Sequence, residues 1–200
     1  MSKPRSLTPE QITEAALTVL DESGLAAFSM RAVADHLGVG TMSLYRYVED
    51  RAQLEIMVVD RVLAGVSLDL PPAPWRNRVE LLFHRVRSAI AAHPEAMPLT
   101  ITHRQDCAAI RRWAEKVLTV LTEAGVQGER RYVALRALLS YLIGSIELEY
   151  RTSLTGARLP EPIPDREHPL LAAVSRQSQR LSPAERFRSG LSLLLDGLAA

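Results

Sequence analysis

Apolar residues recur every three or four positions along most of the chain, and no stretch alternates polar and apolar residues as a β-strand does. In the first 65 residues the pattern breaks at Gly24, at Gly38 and before Asp50, so it predicts four short helices. These helices are predicted at residues 8–24, 29–37 and 41–48, followed by a fourth from residue 50 that carries Leu54, Met57, Val58 and Val62.

Signals for the starts of helices support these boundaries. A side chain that accepts a hydrogen bond from a free backbone N–H at a helix start is typical of an N-cap, and a reciprocal Gln or Glu three residues later completes a capping box. The residues that form such signals are Thr8 with Gln11, Ser29, Asp50 with Gln53, and Ser182 with Glu185.

The segment 67–74 contains three prolines and cannot continue a helix, which makes it the best candidate boundary in the chain. We therefore predict two domains, residues 1–66 and 67–200. Beyond the boundary the pattern predicts longer helices and a proline-rich loop at 155–169, and so an all-α fold. The later helices are predicted from Trp75 to near His93, at 97–102, at 110–121 with Gly125 ending it, at 130–153, at 170–179 and from Pro183 to Leu198.

The second and third helices are separated by the tight turn Leu37-Gly38-Val39-Gly40, which is the pattern of a helix-turn-helix. Residues predicted to be buried within it are Val33, Leu37, Val39, Leu44 and Val48. The outward side of the third helix then carries hydroxyl groups, a methionine and a guanidinium, which are groups that contact base edges and phosphates in a major groove. This pattern is only moderately specific, and a small helical bundle with a tyrosine-rich surface is the alternative. The outward residues are Thr41, Met42, Ser43, Tyr45, Arg46 and Tyr47.

The run from Phe28 to Val48, FSMRAVADHLGVGTMSLYRYV, resembles the DNA-binding signature of the TetR family of transcriptional regulators. The resemblance covers residues 8–65. Beyond the linker, the order of the helices resembles the tetracycline-repressor branch. The resemblance implies a homodimer that binds a palindromic double-stranded DNA operator, with a C-terminal domain that dimerises and binds a small-molecule inducer.

Carried over position by position, the resemblance places the DNA contacts on the second, third and fourth helices. We expect the tyrosines and Ser43 to contact mainly phosphates, whereas Arg46, Thr41 and Arg31 are candidates for reading bases. For Arg46, a bidentate contact to guanine and a simple phosphate contact are both open. The implied DNA-binding residues are Arg31, Thr41, Met42, Ser43, Tyr45, Arg46, Tyr47 and Arg51.

The charge of the chain is unusual for a DNA-binding protein. The whole chain has a formal charge of +1, and residues 1–60 hold five basic and nine acidic side chains. We therefore predict few ionic contacts to DNA per subunit and a modest dependence of affinity on salt.

Aromatic, histidine, methionine and glutamate side chains on or near the apolar stripes of the later helices are candidates for lining a ligand cavity. The alternative is that they are ordinary core residues. His84, His93 and His103 are nine and ten residues apart, which is no local chelate, so we expect neither a metal nor a cofactor. The candidate ligand-binding residues are Phe83, His84, Met97, His103, Trp113, Tyr141, Glu147 and Tyr150.

The long helix from Arg130 and the final helix are the predicted dimer surface. Four leucines near the end of the chain need a surface to cover them, which is either a second subunit or another part of the same chain. These are Leu191, Leu194, Leu195 and Leu198.

The remaining features narrow the function. A single cysteine, the absence of a signal peptide's apolar region and apolar stretches far shorter than a bilayer predict a cytoplasmic protein without membrane association. Glu147 and Glu149 do not share a helix face, and no phosphate loop or nucleophile elbow is present, so we expect no enzymatic activity. We predict a ligand-released repressor; the alternative is a ligand-independent regulator or activator of the same fold.

Overall fold

A computed structural model describes residues 7–154, 166–178 and 180–199, and every regular element in these ranges is helical. The predicted all-α fold is thus confirmed. Most of the predicted 155–169 loop lies outside the described residues. The helices are α1 Pro9–Ala27, α2 Met30–His36, α3 Thr41–Leu44, α4 Arg51–Ala64, α5 Trp75–Ala91, a 3₁₀ turn Pro94–Ala96, α6 Met97–Thr102, α7 Ala108–Glu123, α8 Gly128–Leu154, α9 Pro169–Ser178 and α10 Pro183–Ala199.

The predicted caps form as hydrogen bonds. Thr8 Oγ1 accepts from Gln11 N at 3.2 Å, while Gln11 Oε1 accepts from Thr8 N at 3.1 Å. Ser29 Oγ accepts from the N–H of the third residue of its helix at 3.1 Å. Asp50 and Ser182 cap α4 and α10 in the same way. These bonds satisfy backbone donors that have no partner inside the helix, and so they fix where each helix begins.

Glycine ends α2, as predicted, whereas the glycine predicted to end α1 only interrupts that helix. Gly38 follows α2 with φ +67°, a left-handed conformation that other residues rarely adopt. Gly24, with φ +74° and ψ 168°, interrupts α1, and a last short turn continues to Ala27.

The third helix is shorter than predicted. It was predicted at 41–48, but regular helix covers only Thr41–Leu44, and residues 45–47 form turns. The N–H groups of Tyr47 and Val48 both donate to the carbonyl of Leu44, at 2.8 and 3.0 Å, so the path tightens there instead of adding a helical turn. Aromatic and β-branched residues have lower helix propensity, and the helical pattern of apolar residues did not include this effect.

The chain packs into two compact units that do not follow the order of the sequence. The first unit contains the described residues up to Asp69 together with Arg85–Lys116. The second contains Leu70–His84 and the described residues from Val117 onward. The division into functional domains at residues 66 and 67 stays a prediction.

Helices α1, α2, α3, α4 and α6 and the 3₁₀ turn pack together in the first unit. Their apolar faces form a core from which water is excluded, and this burial is the main contribution to its stability. The side chains with no exposed surface in this core include Ile12, Ala16, Leu20, Val33, Ala34, Leu44, Leu54, Val58 and Val59.

The second unit is organised around the packing of α8 against α10. Tyr141 on α8 stacks on Phe187 of α10 with ring centroids 5.5 Å apart, and its hydroxyl donates to the Phe187 carbonyl at 2.9 Å. A Cβ at Gly190 would collide with the Tyr141 hydroxyl, so glycine permits this close approach. None of the helices in the described ranges has the length and apolar character needed to cross a membrane.

Candidate nucleic-acid interface and regulatory residues

The helix-turn-helix is held together by a small set of apolar contacts. Val33 of α2 and Leu44 of α3 have no exposed surface, and Val48 is 1% exposed. Leu37 and Val39 were predicted to be buried too, but they are half-buried because they lie in the turn between the helices. This packing leaves the opposite side of α3 and of the following turn directed toward solvent.

The eight predicted DNA-contact residues all lie in the first unit, and none of them is fully buried. Met42 is 77% exposed and Tyr45 46%, which is a large apolar and aromatic exposure for a segment of five residues. Thr41, Ser43 and Tyr47 are half-buried. The structure therefore leaves these residues accessible, and their roles in DNA binding stay predictions.

The three arginines of this set differ in how they are held. Arg31 lies 3.8 Å from Asp35 on the same helix, an exposed pair that adds little stability. Arg51 Nε lies 2.7 Å from Glu55 Oε1, and its guanidinium is 5.7 Å from the centre of the Phe28 ring. For Arg46 the described part of the chain supplies neither an ion pair nor a hydrogen bond to the side chain, so its exposed guanidinium is available to a ligand.

Several acidic side chains of the first unit have polar or charged partners within that unit. Arg61 donates to Glu14 at 3.0 Å, and His93 Nδ1 lies 2.8 Å from Asp21. A backbone N–H and the Thr8 hydroxyl at the start of α1 lower the pKa of Glu10. Within this unit an arginine therefore neutralises Glu14, and the exposed face of α3 carries no carboxylate.

The predicted ligand-binding residues are divided between the two units. Met97, His103 and Trp113 are buried in the first unit. His103 Nε2 lies 2.7 Å from Glu55 Oε2, so it has a defined polar role inside that unit. In the second unit, Phe83 is fully buried and the others are half-buried; their role as ligand contacts stays a prediction. This second group consists of Phe83, His84, Tyr141, Glu147 and Tyr150.

The ties between the segment 93–109 and helix α4 were not predicted from the sequence. Asp60 Oδ1 accepts from Cys107 Sγ at 3.0 Å and from the N–H of Ala109 at 2.8 Å. Burial, together with this carboxylate, raises the pKa of the Cys107 thiol to about 11. The spacing of Arg51 and Glu55 predicts their contact within α4. No local signal predicts the contacts of α4 with residues almost 50 positions away.

The four leucines of α10 have different surroundings. Leu191 and Leu195 are 0% and 1% exposed in the single chain, so for these two the covering surface is another part of the same chain and not a second subunit. The helix turns them toward the interior of the unit. Leu194 and Leu198 are half-buried, whereas Leu193 is 73% exposed.

Helix α8 also exposes a continuous stripe of small and apolar residues. Val133 is 54% and Leu148 68% exposed, and between them a Cβ at Gly144 would meet only open space in the described chain. Spacings of three and four residues place the stripe on one side of the helix. It consists of Val133, Ala137, Ser140, Gly144 and Leu148.

Comparison with protein families matches both parts of the chain. The family described as "Bacterial regulatory proteins, tetR family" matches residues 12–54. The family described as "Tetracyclin repressor-like, C-terminal domain" matches residues 69–200, which is more than half of the chain.

Individual proteins match over nearly the full length. The chain is 30% identical to the HTH-type transcriptional repressor DrrR1 of Streptomyces coeruleorubidus, over 96% of this chain and 77% of that protein. The structure of ActR, a TetR family protein of Streptomyces coelicolor, in complex with (S)-DNPA matches with a TM-score of 0.80 and 26% identity, covering 99% of this chain and 98% of that chain. ActR in complex with actinorhodin matches with a TM-score of 0.82 and 25% identity, covering 97% and 96%.

Proposed function

Because the chain belongs to the TetR family of bacterial regulatory proteins, we propose that it is a transcriptional repressor that a small hydrophobic molecule releases from DNA. The proposal has three parts, which are a DNA-reading surface, a homodimer and a ligand site. An enzymatic role has no support in this family of regulators, and we propose that the protein acts in the cytoplasm, where the bacterial chromosome lies.

The observation that carries the DNA-binding part is the division of α3 into a buried and an exposed side. Leu44 has no exposed surface, while Met42, Tyr45 and Arg46 face solvent, and Arg46 has no ion pair or hydrogen bond within the part of the chain that the structure describes. A helix held in this way by its apolar side can place its other side in the major groove. Arg46 then contacts guanine or a phosphate, and the aromatic hydroxyls contact phosphates.

The homodimer part is supported by the exposed stripe on α8 and by Leu193 on α10. Soluble chains seldom expose a contiguous apolar surface unless it binds another surface. We propose that these helices pair with their copies across a two-fold axis. The two recognition helices then lie about 34 Å apart, one turn of DNA, and this geometry requires a palindromic operator.

The ligand part draws on the ActR structures, which contain (S)-DNPA and actinorhodin. We propose that a small organic molecule binds this chain too, at some of the residues predicted as ligand contacts. If the ligand prefers a dimer in which α4 tilts and the recognition helices lie at another spacing, it shifts the population toward that state and operator affinity falls.

The test is selection of bound duplexes from a random DNA pool, followed by titration of the selected complex with (S)-DNPA and actinorhodin. We expect a palindrome of roughly 15 to 20 base pairs, because two half-sites lie one helical turn apart. Release by either compound would support the whole proposal. If a palindrome is selected and neither compound releases it, the DNA-binding part of the proposal stands, and the result favours the ligand-independent regulator over a repressor released by these two compounds. The proposal would be contradicted if no palindrome is enriched and the selected duplexes bind no more tightly than a scrambled duplex.

A further inference from the structure

One carboxylate on α4 touches two residues of different predicted roles. Glu55 Oε1 lies 2.7 Å from Nε of Arg51, a predicted DNA contact, and its Oε2 lies 2.7 Å from Nε2 of His103, a predicted ligand contact. The Glu55 and His103 side chains are 13% and 9% exposed, whereas that of Arg51 is 49% exposed. The carboxylate of Glu55 therefore lies between a buried partner, His103, and a solvent-accessible one, Arg51.

The geometry at Arg51 leaves its phosphate-binding end open. Nε is engaged by Glu55, and the guanidinium lies over the Phe28 ring at 5.7 Å. No further hydrogen bond to Arg51 occurs among the described residues, so both Nη groups remain available. A planar guanidinium held at one edge and one face is preorganised for a bidentate contact, and less side-chain entropy is lost when the contact forms.

The geometry of His103 links this arrangement to α6. His103 follows α6 directly, at its C-terminal cap, and is 7% exposed. Because it engages the second oxygen of Glu55, a movement of the α6 end rotates or releases the carboxylate that holds Arg51. We propose that Glu55 is the positioning residue for Arg51 at the DNA-binding surface and that His103 fixes Glu55. This inference rests on the proposed function, because it requires that Arg51 contacts a phosphate of the operator DNA.

The sign of the effect of Glu55→Gln separates positioning from simple electrostatics. Removing a negative charge near DNA strengthens phosphate binding if only the charge matters. If Glu55 positions Arg51, the same substitution weakens operator binding, because Gln has one neutral acceptor oxygen and cannot accept from both Arg51 and His103 as the two carboxylate oxygens do. We expect about a three- to tenfold weaker affinity, the range of a typical hydrogen bond.

The experiment measures the affinity of the full-length dimer for the selected palindrome at several salt concentrations. The variants are Glu55→Gln, Arg51→Gln, the double variant, His103→Phe and His103→Gln. We expect Glu55→Gln and Arg51→Gln each to reduce the salt slope by about one per subunit, and the double variant to lose no more than either. His103→Phe should weaken binding only when Glu55 is present, and His103→Gln, which keeps an N–H donor, should restore it.

A second pair of residues of the same kind provides the matched control. His93 Nδ1 and Asp21 Oδ2 are 2.8 Å apart and tie the same part of the chain to α1, but neither touches Arg51. His93→Gln should therefore leave the affinity and the salt slope unchanged. Thermal unfolding of each variant shows whether it has folded.

A readout without DNA tests the same link directly. In a ¹⁵N NMR spectrum we expect the Arg51 Nε–H resonance to shift in Glu55→Gln and in His103→Phe, but not in His93→Gln. An unshifted resonance in folded His103→Phe, tighter operator binding by Glu55→Gln, or additive losses in the double variant would each overturn the positioning role. If the wild-type dimer binds no selected palindrome, the proposed function fails, while the NMR result still decides whether His103 acts on Arg51.

Discussion

At the scale of single residues, the predicted DNA-contact arginines differ in the contacts that their side chains make within the protein. Arg51 is fixed by Glu55 and lies over Phe28, and Arg31 faces Asp35. Arg46 is exposed and has no such tie in the described chain. An unpaired cation on a recognition segment loses no internal interaction when it binds DNA, which makes Arg46 the most informative residue to substitute.

We predict that Arg46→Ala weakens operator binding by about 1 to 3 kcal/mol, the usual loss for a base contact. Thermal stability should not change, because the side chain is exposed. Titration of the selected duplex and a thermal melt check both statements. Arg104→Ala is the control, since Arg104 is an exposed arginine of the same unit outside the helix-turn-helix; equal losses in both variants would contradict the assignment.

Cys107 gives a pH-dependent prediction. The folded protein raises its pKa to about 11, so the native state keeps the thiol proton at pH values where the unfolded chain releases it. The free energy of unfolding should therefore decrease as the pH rises from about 9 to about 11, by an amount on the order of 2 kcal/mol.

Denaturant unfolding at several pH values, compared with Cys107→Ala, isolates this contribution from the tyrosines and lysines that titrate in the same range. The variant should lack the extra decrease. Parallel pH profiles for the two proteins would show that the thiol does not contribute.

At the scale of elements, close packing in the second unit depends on one glycine. Gly190 lies where α10 approaches Tyr141 of α8, and the Tyr141 hydroxyl bonds to the carbonyl of Phe187. Gly197, on the same helix, has open space where a Cβ would be. The helix thus offers one glycine that packing requires and one that it does not.

We predict that Gly190→Ala destabilises the protein by about 1 to 3 kcal/mol, because the new methyl group displaces the Tyr141 ring from its hydrogen bond. Gly197→Ala should leave stability unchanged or raise it by up to about 1 kcal/mol, since alanine is the better helix former. Urea unfolding of both variants tests the contrast. Equal changes in stability would mean that the close approach of Tyr141 does not prevent a larger residue at position 190.

At the scale of the whole molecule, the exposed stripe of α8 and Leu193 of α10 determine the proposed assembly. Leu193 is 73% exposed, whereas Leu195, two residues later, is 1% exposed. A helix turns consecutive residues by about 100°, so these two leucines face different surroundings. Their substitution should therefore have different consequences.

We predict that Leu193→Glu gives a folded monomer that binds the operator far more weakly than the dimer, because a charge then lies in the subunit interface. Leu195→Glu should unfold the second unit, since an unpaired charge is buried there. Sedimentation velocity and circular dichroism distinguish the outcomes. A Leu193→Glu protein that remains dimeric would place the interface elsewhere.

The charge distribution predicts the salt dependence of the complex. Three cations per subunit occupy predicted DNA contacts, Arg31, Arg46 and Arg51. If all six of these cations in a dimer neutralise phosphates, the slope of log affinity against log salt is about −5, and each arginine that contacts a base instead makes the slope smaller. A slope near −9 would indicate that Lys3 and Arg5 also bind phosphates.

Much of this protein follows from its sequence by itself. Helix caps, glycine ends and the apolar side of each helix depend on residues within four positions of one another, and so they can be identified without a fold. The caps at Thr8, Ser29, Asp50 and Ser182 formed as predicted. Of the six residues predicted to point outward, Met42, Tyr45 and Arg46 are exposed and the other three are half-buried. The length of α3 was wrong, because its end depends on a competition between packing and propensity.

Only the tertiary structure decided which distant groups meet. Glu55 and His103 are 48 positions apart, and Asp60 and Cys107 are 47 apart, so no local pattern relates them. Periodicity likewise identified the leucines of α10 but not what covers them. Leu191 and Leu195 are buried and Leu193 faces solvent, because burial is settled by the packing of whole helices and not by the order of residues along one of them.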